Sequence, residues 1–172
     1  MIKNKKILVT GGAGYVGSHI NKQLNKLGYK TVVVDSLIRG NKESIKWGNF
    51  EKICLSDINK LENLFSKYEF STVMHFAAFA YVEESMIDPA IYYQNNLSST
   101  INLLNTMIKF NVKNFIFSSS CATYGIPEIL PISEKTPQKP ISPYGKSKRM
   151  VESLLSDYDE AYNWKILTKI NL

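Results

Sequence analysis

Ile7-Leu8-Val9-Thr10-Gly11-Gly12-Ala13-Gly14-Tyr15-Val16-Gly17 is the stretch whose reading decides the fold. Ile7 to Thr10 has the apolar, β-branched pattern of a buried strand, and the glycine cluster ends it. Val16, Ile20, Leu24 and Leu27 then recur at helical spacing, and Gly28 supplies a C-terminal cap. Gly11-x-x-Gly14-x-x-Gly17 therefore occupies a strand-to-helix turn. Unpaired backbone N–H groups and the positive end of the helix dipole make such a turn a seat for a pyrophosphate. Gly11 is expected to make the tight turn, Gly14 to let the phosphates approach the backbone, and Gly17 to let helix and strand pack closely. Asp35 follows Gly17 by 18 residues, at the tip of the next apolar run. A carboxylate there accepts both hydroxyls of an adenosine ribose, which favours NAD, while Arg39 keeps NADP open.

Outward from this turn, strands and helices alternate. Thr31–Val34 reads as a strand covered on both faces, and a short strand is expected at Lys52–Leu55. A helix at Ile58–Tyr68 and a strand at Thr72–Phe76 follow. Pro89 opens a long helix to about Phe110, and Asn114–Ser118 is a strand. Five prolines between Gly125 and Pro143 mark an ordered loop. Tyr144 to about Tyr158 is helical, and Lys165–Thr168 is a last strand. This alternation predicts an α/β protein, a Rossmann-type doubly wound parallel sheet with right-handed crossovers.

The chain has 172 residues, 44% apolar and 21% charged, which suits a single domain over residues 1–172 with no second domain. No apolar run approaches the roughly 18–20 residues of a membrane span, so a membrane partner is not expected. The basic start at Met1 leads into too short an apolar stretch for a signal peptide. Cys54 and Cys121 then read as reduced thiols, and the expected location is the cytoplasm. Lysines and arginines number 21 against 15 acidic residues, but they are scattered. Nucleic acid is not an expected partner, and no metal is expected.

Tyr144-Gly-Lys-Ser-Lys148 sets a phenol and an ammonium at i and i+4 on one helix face. A free phenol, with a pKa of about 10, is a poor base at neutral pH. A nearby lysine and a positive nicotinamide favour phenolate, so Tyr144 is expected to titrate lower. Lys148 is also placed to hold the nicotinamide ribose. Ser118-Ser119-Ser120 lies at the carboxyl end of a strand, where such sheets bind ligands. A serine hydroxyl there can bond a substrate oxygen and relay its proton to Tyr144.

These blocks resemble the extended short-chain dehydrogenase/reductases and, within them, the UDP-glucose 4-epimerases. Thr10–His19 looks like their cofactor loop, Val34–Asn41 their ribose segment and Ser56-Asp57-Ile58 their adenine-contacting segment. His75–Ser85 and Tyr92-Tyr-Gln-Asn-Asn96 are similar to the blocks lining the nicotinamide half. Ser118–Gly125, Pro131–Glu134 and Ser142–Lys148 complete the match. The resemblance implies NAD as cofactor, held by Gly11, Gly14, Tyr15, Val16, Gly17, Asp35, Asp57, Ile58, Phe76, Ala77, Ala78, Asn95, Tyr144 and Lys148. It implies a UDP-sugar substrate, with Tyr144 taking the 4-hydroxyl proton, Ser120 bonding that oxygen and Lys148 positioning both. The implied reaction inverts C4 through a 4-keto sugar, with UDP-glucose and UDP-galactose as the default pair in galactose metabolism. UDP-arabinose and UDP-xylose are alternative substrates. A homodimer through the helices starting near Pro89 and Tyr144 is likewise implied.

Nucleotide-sugar 4,6-dehydratases carry an acid directly after the active-site Ser/Thr block, and Ser120 is followed instead by Cys121-Ala122-Thr123. Three departures from the epimerase pattern stand out. Ser36 replaces a common Asn, and Ala80 falls where some members have lysine. Lys169 and Ile170 stand where members have an aromatic pair that closes the nicotinamide end, as a frameshift or premature stop would leave it. Family members are nearly twice as long, and their second half grips the UDP group. The expectation is a chain whose C-terminal substrate lobe is missing, weakly active or inactive by itself as an NAD-binding fragment.

Overall fold

The protein is described by a computed structural model covering residues 5–171. Six parallel strands form one sheet: β1 Lys6–Thr10, β2 Thr31–Asp35, β3 Asn49–Lys52, β4 Phe70–His75, β5 Asn114–Ser120 and β6 Lys165–Asn171. Their spatial order is β3-β2-β1-β4-β5-β6. The chain winds outward one way from β1 to β3 and the other way from β4 to β6, which is the doubly wound arrangement. The reversal point lies between β1 and β4, where such sheets open a ligand crevice at their carboxyl ends.

Side-chain alternation divides the core. Leu8, Val32, Val34, Val73, Phe115 and Phe117 join one buried cluster with residues of α2 (Ile58–Lys67), α5 (Ser99–Lys109) and α6 (Pro143–Tyr162). Leu61, Leu103, Leu104, Met107 and Leu155 carry the helical side of that layer, each at most 1% exposed. Burying side chains of this size contributes about 1.5–3 kcal/mol each. On the opposite face, α1 (Tyr15–Lys26) covers β1 and β2.

Helix α1 forms where the periodicity places it and closes at Gly28, with Tyr29 N–H donating to Leu24 C=O at 3.0 Å. Its expected apolar stripe is not the buried face, however. Val16 is 36% and Leu27 73% exposed, whereas Gly17 and Asn21 are buried. The helix is drawn in at Gly17, where a Cβ would lie 2.3 Å from Gly11 C=O. Asn21 then donates to Trp47 C=O at 2.9 Å.

Other boundaries also move. The third strand ends at Lys52, so Ile53 and Leu55 are buried just beyond it. β4 starts two residues earlier than its β-branched run and ends at His75. β5 extends to Ser120, β6 to Asn171, and α6 runs on to Tyr162. The long helix after Pro89 has three parts: α4 Pro89–Tyr92, a π-helical segment Tyr93–Ser98, and α5. A short helix, α3 Val82–Ile87, precedes them and was not expected. The proline-rich span after Gly125 is an irregular loop, as its composition predicts. Backbone pairing places Lys169 opposite Ser118 and Ile170 opposite Ser119, but the side chains of 169 and 170 lie outside the described residues, as do Met1 to Asn4.

Candidate active site

A cleft opens over the carboxyl ends of β1, β2 and β4. Its lining includes Gly11 and Gly14 from the glycine loop, Asp35, Ser36, Arg39 and Gly40 after β2, Phe76–Phe79 after β4, and Asn95 from the π segment.

The glycine loop is shaped by contacts that admit no side chain. Gly11 has φ +69° and a Cβ there would lie 2.4 Å from Ala77 N. At Gly14 a Cβ would meet only Gly11 C=O, at 3.3 Å, so the backbone is open to an approaching group. Asp35 accepts from Ala13 N–H at 3.0 Å through one carboxylate oxygen and from Leu37 N–H at 2.9 Å through the other. Each oxygen keeps a second lone-pair direction for a ribose hydroxyl. The cleft therefore fits a dinucleotide on its own geometry.

A buried polar network aligns the cleft walls. Thr100 Oγ1 donates to Asn96 C=O at 2.6 Å, so His75 Nε2–H donates to Thr100 Oγ1 at 2.9 Å. Thr10 Oγ1 then donates to His75 Nδ1 at 2.7 Å, fixing one tautomer. Burial, followed by the charge of Lys148, lowers the His75 pKa to about 3, so the ring stays neutral. Thr10 and His75 end β1 and β4, and the ring ties those two strand tips to the π segment. Within that segment Asn96 Nδ2 donates to Phe79 C=O at 2.9 Å and Ser147 Oγ at 3.2 Å. Such π turns frequently mark functional sites.

A second cluster stands at the end of β5. Tyr144 is 8% exposed, and the Ser120 hydroxyl stands close enough to its phenol to favour the phenolate. Ser120 Oγ also accepts from Ala122 N–H at 3.2 Å, which leaves its proton for the phenol or a substrate oxygen. Lys148, one turn along α6, is 4% exposed, donates to Ser118 C=O at 2.9 Å, and sits 4.8 Å over the Phe117 ring.

The expected depression of the phenol is not found. Burial pushes Tyr144 above its ordinary value, and the Ser120 hydroxyl offsets part of that. Lys148 turns its ammonium to the Ser118 carbonyl, and burial brings its own pKa down to about 8. Glu152, one further turn along α6, holds Ser119 and receives Gln138 Nε2–H at 2.7 Å, tying the proline-rich loop to the strand end.

The structure thus gathers Gly11, Gly14, Asp35, Phe76, Ala77, Ala78 and Asn95 around one cleft, and Ser120, Tyr144 and Lys148 into a cluster beside it. Tyr15, Val16, Gly17, Asp57 and Ile58 stand outside the cleft wall formed by the described residues. Tyr15 is an exposed first-turn residue whose ring is tilted against His19 with centroids 4.8 Å apart, and Gly17 serves packing. Asp57 caps α2, accepting from Lys60 N–H at 3.0 Å, and Ile58 is 49% exposed. Asn96, His75 and Glu152 hold the site together, yet sequence reasoning assigned them no role. Asn96 lay inside a quoted block, one residue from Asn95.

Comparison with known proteins gives the same outline. The family described as "NAD dependent epimerase/dehydratase family" matches residues 7–171. A UDP-glucose 4-epimerase of Rhizobium meliloti is 43% identical over 157 residues, covering 91% of this chain and 48% of that protein. UDP-arabinose 4-epimerase 1 of Arabidopsis thaliana is 45% identical over 164 residues, 90% of this chain and 39% of that protein. The crystal structure of UDP-glucose 4-epimerase from Brucella ovis in complex with NAD superposes with TM-score 0.94 at 44% identity, over 96% of this chain and 51% of that one. The chain spans about half the length of these relatives or less, and over that span it belongs to the NAD dependent epimerase/dehydratase family.

Proposed function

We propose that this chain is the cofactor-binding and proton-transferring half of a UDP-sugar 4-epimerase, and that it binds NAD in the cleft above β1, β2 and β4. The observation that carries this reading is the close Ser120–Tyr144 pair, with Lys148 buried beside it, next to a cleft floored by Gly11 and Gly14. Gly11 and Gly14 would hold the pyrophosphate, Asp35 the adenosine ribose, and Phe76–Ala78 with Asn95 the opposite wall. Arg39, which left NADP open, is engaged by Glu84 at 2.7 Å, which supports the unphosphorylated ribose.

NAD, when bound, supplies reversible hydride acceptance at its nicotinamide ring. Ser120 would bond the sugar 4-oxygen and orient it toward Tyr144. Tyr144 would take that proton, then return it after the 4-keto sugar has presented its other face. A phenol held high by burial needs positive charge to act as base, and a buried ammonium one turn away supplies part of it.

UDP-glucose and UDP-galactose are the proposed pair, as part of galactose metabolism, and the likeness to UDP-arabinose 4-epimerase 1 makes UDP-arabinose the second reading. Free Cys54 and Cys121 support a cytoplasmic setting, and a homodimer through the helices starting near Pro89 and Tyr144 is part of the proposal. Incubation with NAD and each UDP-sugar, followed by chromatography of the nucleotide sugars, tests it. Interconversion, lowered about 100-fold or more by Tyr144→Phe, is expected. Conversion unaffected by Tyr144→Phe would overturn the assignment.

A further inference from the structure

We propose that Arg39 and Glu84 form a clasp across the cleft that sets how slowly a bound dinucleotide leaves. The inference rests on the dinucleotide reading above. Arg39 belongs to the wall after β2 and Phe79 to the wall after β4, and both line the cleft. Their side chains meet: the Arg39 guanidinium lies 3.8 Å from the Phe79 ring centroid and 5.2 Å from that of Tyr81. The guanidinium reaches on to α3, where Nη2 is 2.8 Å from one Glu84 carboxylate oxygen and 2.7 Å from the other. Two segments 45 residues apart are thereby joined above the glycine loop.

The two halves of the clasp are unequal. Glu84 is anchored, because its second oxygen accepts from the Tyr92 hydroxyl at 2.5 Å and Tyr92 is fully buried. The Tyr92 hydroxyl also accepts from Tyr81 N–H at 3.1 Å, and its ring stands edge-on to both Phe79 and Tyr144. The Tyr92 hydroxyl, and then Arg39, hold the Glu84 carboxyl below its ordinary range, so it stays charged at neutral pH. Arg39 is the movable half, on a loop where Leu37 already takes a φ of +61°. A group stretched from Asp35 to Asn95 passes the Arg39–Phe79 contact, so leaving requires that contact to open. An enzyme that must return its hydride to the same sugar gains from slow release.

The test is the dissociation rate of NAD from wild type, Arg39→Met, Arg39→Lys and Glu84→Gln, followed by displacement at several salt concentrations. Arg39→Met and Glu84→Gln are expected to release NAD about three- to ten-fold faster. Arg39→Lys should recover part of the loss, and added salt should speed release from wild type and Arg39→Lys but not from Arg39→Met or Glu84→Gln. Melting temperatures without NAD should stay within about 3 °C of wild type, because an exposed pair adds little to folding. Equal release rates in all four proteins would overturn the clasp. Slower release from Glu84→Gln would also overturn it, since a freed Arg39 would then be acting as a phosphate ligand. Wild type that binds no NAD would overturn the dinucleotide reading and the clasp together.

Discussion

Asn96 and Phe79 exchange two hydrogen bonds: Phe79 N–H donates to Asn96 Oδ1 at 2.8 Å, and Asn96 Nδ2 donates to Phe79 C=O at 2.9 Å. A side-chain amide inside a π-helical segment therefore completes the backbone pairing of the cleft wall. Asn96→Ala leaves both groups of Phe79 without this partner, at about 1–3 kcal/mol each where water does not reach. A loss of about 2–4 kcal/mol in urea unfolding is expected, with weaker NAD binding. Asn96→Asp keeps the acceptor and loses the donor, so it should also destabilise.

At Gly11 the positive φ and the 2.4 Å approach to Ala77 N act together. Gly11→Ala is expected to cost about 1–3 kcal/mol and to displace the Phe76–Ala78 wall. Calorimetry should show a lowered melting temperature and an NAD affinity reduced at least ten-fold. Unchanged affinity would mean that the loop does not approach the pyrophosphate.

His75 gives the fold an acid-sensitive point. Its folded pKa of about 3 lies below the unfolded value near 6.5, so the unfolded chain binds more protons between those pH values. Stability is fully present above pH 6.5 and falls as pH drops toward 3, by an amount on the order of a few kcal/mol. His75→Gln, compared by urea unfolding from pH 7 to pH 4, should show a shallower decline than wild type.

Lys148 titrates in the other window. Its folded pKa of about 8 lies below the unfolded 10.5, so folding releases protons between pH 8 and 10.5 and stability rises there with pH. The burial penalty is complete below pH 8. Lys148→Met removes it, so the cofactor-free variant should be at least as stable as wild type at pH 7 and lack that alkaline gain. Its NAD affinity should nevertheless fall, which separates a functional lysine from a structural one.

What the sequence made legible was local. Gly11, Gly14 and Gly17 are bracketed by a strand and a helix within twenty residues, and Tyr144 and Lys148 are one helical turn apart. Period and spacing suffice for such features. The unread part of the site is made by pairs far apart in the chain, such as Asn96 with Ser147 and Arg39 with Glu84. The π segment was invisible because widening a turn leaves side-chain types unchanged. Ile53 and Leu55 misled for the opposite reason: their burial is real, but it belongs to the coil after β3. Tyr144 titrates above its ordinary value because it is buried, and a spacing of four residues does not reveal burial.

Native mass spectrometry of the intact chain titrated with NAD tests the central claim most directly. One NAD per chain is predicted, with binding strongly weakened in Asp35→Ala and retained in Tyr144→Phe. A chain that binds no NAD, or binds it equally well without the Asp35 carboxylate, would contradict the account.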